Sequence, residues 1–201
     1  RDWSSDVCSS DLSSPEYKTR FSWVELNTPV IQPAIYDILT KRLERKIPLL
    51  LSGESNFKLS DHGILEEDPE GPITGMTSLY EERKKWIFRR NKDDIAGDTD
   101  RSKIIEVLEK TLMDDTFFTT KLLIIPPAFR PITIMEEKNE TMPDPINEIY
   151  TRIIILSHQL KSVSGPLFDV LAFRMQILFS ELYDFVRKKI SKKEEIGRAH
   201  V

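Results

Sequence analysis

Four clusters in the chain carry residues able to do chemistry. The acidic run DDIAGDTD, Asp93–Asp100, is the densest in carboxylates. Clustered aspartates hold divalent cations for phosphoryl transfer, but here Gly97-Asp98-Thr99 reads as a stop followed by a helix N-cap. Ser55, Asp61 and His62 supply a hydroxyl, a carboxylate and an imidazole for a hydrolase. No nucleophile elbow surrounds Ser55, and sequence neighbours seldom form a triad. His62 and His158 are the histidines outside the last seven residues, and their wide separation gives little support to a histidine metal site. The stretch EERKKWIFRRNK, residues 81–92, interleaves bases with Trp86 and Phe88, a composition that could follow a nucleic-acid backbone. A solvated charged helix with both aromatics in the core is the commoner arrangement.

The two ends stand apart from the rest. RDWSSDVCSSDL (residues 1–12) and EIGRAHV (residues 195–201) are translations of the two orientations of a short-read sequencing adapter. Both are expected to be adapter-derived tails without packing or function, and the sequence between them an internal piece of a longer chain. Cys8, the single cysteine, lies in the first tail, so neither a disulfide nor a cysteine metal site is expected elsewhere. The net charge of −4 does not advertise a basic nucleic-acid-binding domain. No apolar run reaches the ~18 residues of a membrane span.

These residues must be positioned by a small set of elements. Arg20–Leu26 alternates like a half-buried strand, and NTPVIQP is expected to break it. Ala34–Arg45 has helical spacing, and Ile47–Leu51 is a short apolar run. Ser52–Thr74 is rich in Gly, Pro, Ser and acids and reads as a long loop. Ser78–Asn91 predicts a charged helix, and a second helix runs from the Thr99 cap to Asp114. In KLLIIPPAFRP, Leu122–Ile125 reads as a short buried strand stopped by Pro126 and Pro127, since proline fixes φ and removes an amide donor. Residues 132–143 form a loop or small hairpin. Asp144 and Pro145 are a plausible N-cap and first helical residue. Ile146, Ile149, Ile153, Leu156 and Leu160 then mark one apolar face of a helix over 144–161. Leu167, Leu171, Met175, Leu178, Leu182 and Phe185 mark a second over 167–190. The short SVSGP connector makes the two an antiparallel pair. The expected fold class is α+β, predominantly helical, with small β elements and a long antiparallel helical hairpin.

The stretch LLIIPPAFRPITIMEEKNETMPDPINEIYTRIIILSHQLK resembles the largest, β′-type subunit of multisubunit DNA-directed RNA polymerases. Pro126, Pro127, Arg130 and Pro131 stand at that family's spacing. Asn147, Tyr150, Arg152, Leu160 and Lys161 match in the following helix, and Arg174-Met175 in the next. Upstream, Glu25, Leu26, Pro29 and Val30 match a strand motif whose Gly-His is replaced by Ser22 and Trp23. The similarity is thin between Leu49 and Lys121. Ala128 replaces a usual acid, and Ile155–Gln159 replaces several Asn and Arg, so the resemblance is to a divergent member of viral or mobile-element kind.

The resemblance implies a nucleotidyltransferase of the cytoplasm, or host cytoplasm, acting in transcription. Residues 13–131 would belong to its clamp and N-terminal region, residues 132–143 to a lid-like loop, and residues 144–194 to the clamp coiled coil. Mg²⁺ would serve the complete enzyme through aspartates that lie downstream in the family, with no catalytic or metal residue here. The implied partners are a β-type subunit, DNA template, RNA–DNA hybrid, and a sigma-like or lineage-specific initiation factor, with no membrane. Arg130 and Lys138 would be nucleic-acid contacts. Leu156, Gln159, Ala172 and Phe179 correspond to factor-binding positions, and three of the four are apolar. That strip either packs within the chain's own fold or meets a hydrophobic, dedicated factor rather than a host sigma. The alternative is a helical protein-interaction module with no polymerase role.

Overall fold

The computed structural model describes residues 22–95, 99–130, 132–135 and 140–198. Residues 1–12 and Lys138 lie outside them. Among the described residues the fold is α+β and predominantly helical, with three two-stranded antiparallel ribbons. No described helix is long and apolar enough to cross a membrane.

The first strand, β1 (Ser22–Ile31), does not stop at Asn27. It pairs with β4 (Phe118–Ile124) from Ser22↔Ile124 to Glu25↔Lys121, then resumes at Val30↔Thr119 and Ile31↔Phe118. The register shifts between Glu25 and Val30, so Leu26 to Pro29 form a bulge in the ladder between those two stretches. Pro29 has no amide to donate, and a bulge is where a strand asks for none. The proline that was expected to break the strand is instead accommodated inside it. Pro33 opens α1 (Pro33–Ile38), which ends in a π turn over Leu39–Leu43.

The apolar run Ile47–Leu51 is a short helix, α2, with Ile47, Leu50 and Leu51 buried. The expected long loop after it is folded. Phe57–Leu59 (β2) and Leu65–Glu67 (β3) form a hairpin, and Phe57 exchanges both backbone hydrogen bonds with Ile73. Helix α3 (Gly75–Glu82) passes into a 3₁₀ turn at Arg83–Lys85, and helicity ends there rather than at Asn91. The Ile87 amide donates to the Gly63 carbonyl. Trp86 and Phe88 are buried while Ile87 is exposed, the two-residue period of an extended chain. Trp86 packs on Phe88 and Phe117 at centroid distances of 4.7 and 5.7 Å. After α4 (Lys92–Ile95), the Thr99 hydroxyl caps α5 (Asp100–Met113) by accepting from the Ser102 amide, as its sequence predicts.

A third ribbon, β5 (Ile132–Met135) with β6 (Glu140–Pro143), occupies the segment expected to be a loop or hairpin. Asp144 then caps α6 (Pro145–Leu160) by accepting from the Ile146 amide, with Pro145 at the first position. Helix α7 (Pro166–Arg198) runs back antiparallel to it. It extends past residue 190 through Glu195–Arg198, because Lys192, Lys193, Glu194 and Glu195 all favour a helix. On α6, Ile146, Ile149, Ile153, Leu156 and Leu160 are all buried. On α7, Met175, Leu178 and Leu182 are buried and Leu167 is exposed, so the apolar face starts one turn later than its spacing suggests.

One hydrophobic cluster contains residues of β1, α1, α2, α3, α5, α6 and α7. The hairpin is therefore a wall of the core as well as a helical pair. Gln176, fully buried, joins it to β1: its Oε1 accepts from the Ile31 amide at 2.7 Å and its Nε2 donates to the Ile31 carbonyl at 2.9 Å. At the loop end of the hairpin, Asp169 rests on Gly53 and Gly75, both at positive φ, and a Cβ on Gly75 would collide with its carboxylate.

Gln176→Leu should keep the volume and orphan two buried backbone groups, lowering unfolding free energy by about 2–5 kcal/mol in urea titration. Burial pushes the Asp169 carboxyl up from its ordinary value. The native state thus holds this proton over a range where the unfolded chain, near about 3.9, has released it. Stability from this group falls as pH rises through that window, and the penalty is complete above it. Asp169→Asn should therefore raise stability at neutral pH, an advantage that disappears below about pH 3.9.

Candidate functional site at the proline elbow

Strand β4 leaves its ribbon at Ile124. Leu122 is buried but Leu123 is 55% exposed, so the apolar run is half-buried instead of wholly buried. Pro126 is extended and Pro127–Phe129 make a 3₁₀ turn. The two prolines carry no amide hydrogen, so the chain leaves the sheet with few donors to satisfy. The Ile125 amide that remains is met by Tyr150 of α6, and the carbonyls of Leu123 and Ile125 are met by Tyr150 and Arg130. The Ile125 amide donates to the Tyr150 hydroxyl at 3.1 Å, and that hydroxyl donates to the Leu123 carbonyl at 3.3 Å. Arg130 Nε donates back to the Ile125 carbonyl at 2.8 Å, while Nη1 donates to Asn147 Oδ1. The guanidinium carbon lies 5.9 Å from the Tyr150 ring centroid. Burial raises the Tyr150 pKa against smaller opposing effects of the Ile125 amide and Arg130. The phenol stays protonated and can both donate and accept. Farther along β4, the Lys121 amide donates to the Thr119 hydroxyl, which donates to the Lys121 carbonyl.

Arg130, expected as a nucleic-acid contact, thus spends two of its donor groups inside the elbow. Lys138, its expected companion, lies outside the described residues. The four expected partner-binding residues divide. Leu156, Ala172 and Phe179 are buried in the core, and Gln159 is exposed. The apolar strip is therefore not a surface: it packs within the chain's own fold. Successive helical residues step by about 100°, and it is Ile155 that faces out, with Val170 and Ile177 exposed on α7. Arg152 pairs with Glu181 across the two helices.

The other chemical candidates resolve into structural parts. In the acidic run, Asp94 is buried and accepts from the Asn91 amide, the Thr99 hydroxyl and Arg101. The Asn91 amide is the leading cause of its lowered pKa. Among the described residues no group of three or more His, Cys, Asp or Glu could hold a metal ion. In the basic stretch, Arg83 and Lys84 pair with Asp115, Lys85 with Glu82, Arg89 with Glu66 and Arg90 with Glu109. Asp61 and His62 line an open cleft of about 780 Å³ with Glu81 and Lys85, but Ser55 is not in its wall, so no triad assembles. Gln176 escaped sequence reasoning, although a lone amide beside Met175, inside an apolar stripe, was the available signal.

No protein-family model and no curated protein matches the chain.

Tyr150→Phe should leave the Ile125 amide unpaired and lower stability by about 1–3 kcal/mol. Arg130→Ala and Asn147→Ala should be non-additive in a double-mutant cycle of urea midpoints, with a coupling of about 0.5–3 kcal/mol. Additive losses would mean that the two side chains do not interact in solution.

Proposed function

We propose that the chain is a piece of the largest subunit of a DNA-directed RNA polymerase, contributing clamp, lid-like hairpin and helical hairpin to DNA-templated transcription. One observation carries this reading. Pro126, Pro127, Arg130, Asn147 and Tyr150, singled out by their resemblance to the β′-type subunit, converge on a single elbow. A chance match at these spacings would not require the residues to meet. The elbow mounts the β5–β6 ribbon between the β1–β4 ribbon and α6.

In this reading the β5–β6 ribbon is the lid and meets the upstream end of the RNA–DNA hybrid, where Lys138 is the phosphate contact. Arg130 sets the angle at which that ribbon leaves the elbow. Its role is to position, because its Nε and Nη1 donors are engaged within the elbow. The Mg²⁺ of the complete enzyme belongs to aspartates outside this chain, and no catalytic step is assigned to the residues present. The initiation factor, whether sigma-like or specific to the lineage, would dock on the outward side of the hairpin, through Gln159, Ile155 and Ile177. A β-type subunit completes the enzyme.

The decisive experiment uses the complete parent gene. Its frame should encode an aspartate cluster downstream, and the purified subunit with its β-type partner should incorporate nucleotides on a template with Mg²⁺. The 201-residue chain alone should incorporate none. Deletion of residues 132–143 in the full enzyme should lengthen the RNA–DNA hybrid in nuclease mapping. An uninterrupted frame with no such cluster, or a full enzyme without templated synthesis, would overturn the assignment. Ile177→Asp should weaken factor binding about tenfold or more while leaving helicity by circular dichroism unchanged, since truncating or charging a central apolar contact costs roughly 1–3 kcal/mol.

A further inference from the structure

We draw no further inference here: the strongest candidate, the apolar patch that Trp23 and Leu123 expose as a cross-strand pair on the outer face of the β1–β4 ribbon beside Lys121, carries nothing because nothing in the structure shows what covers it.

Discussion

The structure turns on the pairing of one side-chain amide with one backbone residue. Strand β1 has β4 on one edge and helix α7 on the other, and a helix has no free amides or carbonyls along its length to offer a strand. Gln176 supplies both, accepting from and donating to Ile31 as a neighbouring strand residue would. Left unmet, each of those buried groups would carry a desolvation penalty of about 1–3 kcal/mol. The two bonds also fix the rotation of α7 about its axis. With Gln176 turned to β1, Ala172, Met175 and Phe179 face the core, and Arg174 and Ile177 face solvent. A second amide does the same for α6: Asn27 Nδ2 donates to the carbonyl and the hydroxyl of Ser157. Both helices of the hairpin are thus registered against β1 by polar contacts, and apolar packing fills the space between.

The proline elbow obeys the same rule at the end of the other strand. A chain that leaves a sheet must find partners for its last amides and carbonyls. Prolines remove part of the demand, and Tyr150 and Arg130 meet what remains at Ile125 and Leu123. The hydroxyl of Tyr150 and the amide of Asn147 both come from α6, so the elbow is held to the hairpin as firmly as to its own strand. A ribbon mounted there takes its direction from two elements at once, and neither can shift without breaking hydrogen bonds to the other.

Much of this was legible in the sequence, for definite reasons. Thr99, Asp144 and Pro145 are local signals, and their capping roles need only neighbours in the chain. The stripe from Ile146 to Leu160 repeats long enough to fix one face. The β1 bulge was hidden because Pro29 is tolerable only through the way β4 pairs on either side of it. Three-residue strands such as Phe57–Leu59 are too short to display a period, so the hairpin looked like a loop. Trp86–Phe88 sit in a run of bases that suggested a helix, and only the aromatic packing of Phe117 and the Gly63 carbonyl make it extended. The run Ile153-Ile154-Ile155-Leu156 spans more than one helix face, so its sequence could not say which member points outward. The rotation imposed on the hairpin decides that, placing Leu156 inside and Ile155 outside. At the elbow, the residue types were visible, but the inward engagement of Arg130 depends on Asn147 lying within reach.

Among the described residues strand β4 pairs with β1 alone, which leaves its other edge without a described neighbouring strand. An unpaired strand edge is ordinarily a template on which a foreign chain can add and aggregation can start. Here the template has been filled in. The Thr119 hydroxyl occupies the Lys121 amide and carbonyl, and the Tyr150 hydroxyl occupies the Leu123 carbonyl and the Ile125 amide. An incoming strand would have to displace two hydroxyls to gain the bonds that they already satisfy. On a ribbon of two described strands, with leucine and tryptophan exposed on its face, such occupied groups oppose edge-to-edge strand addition.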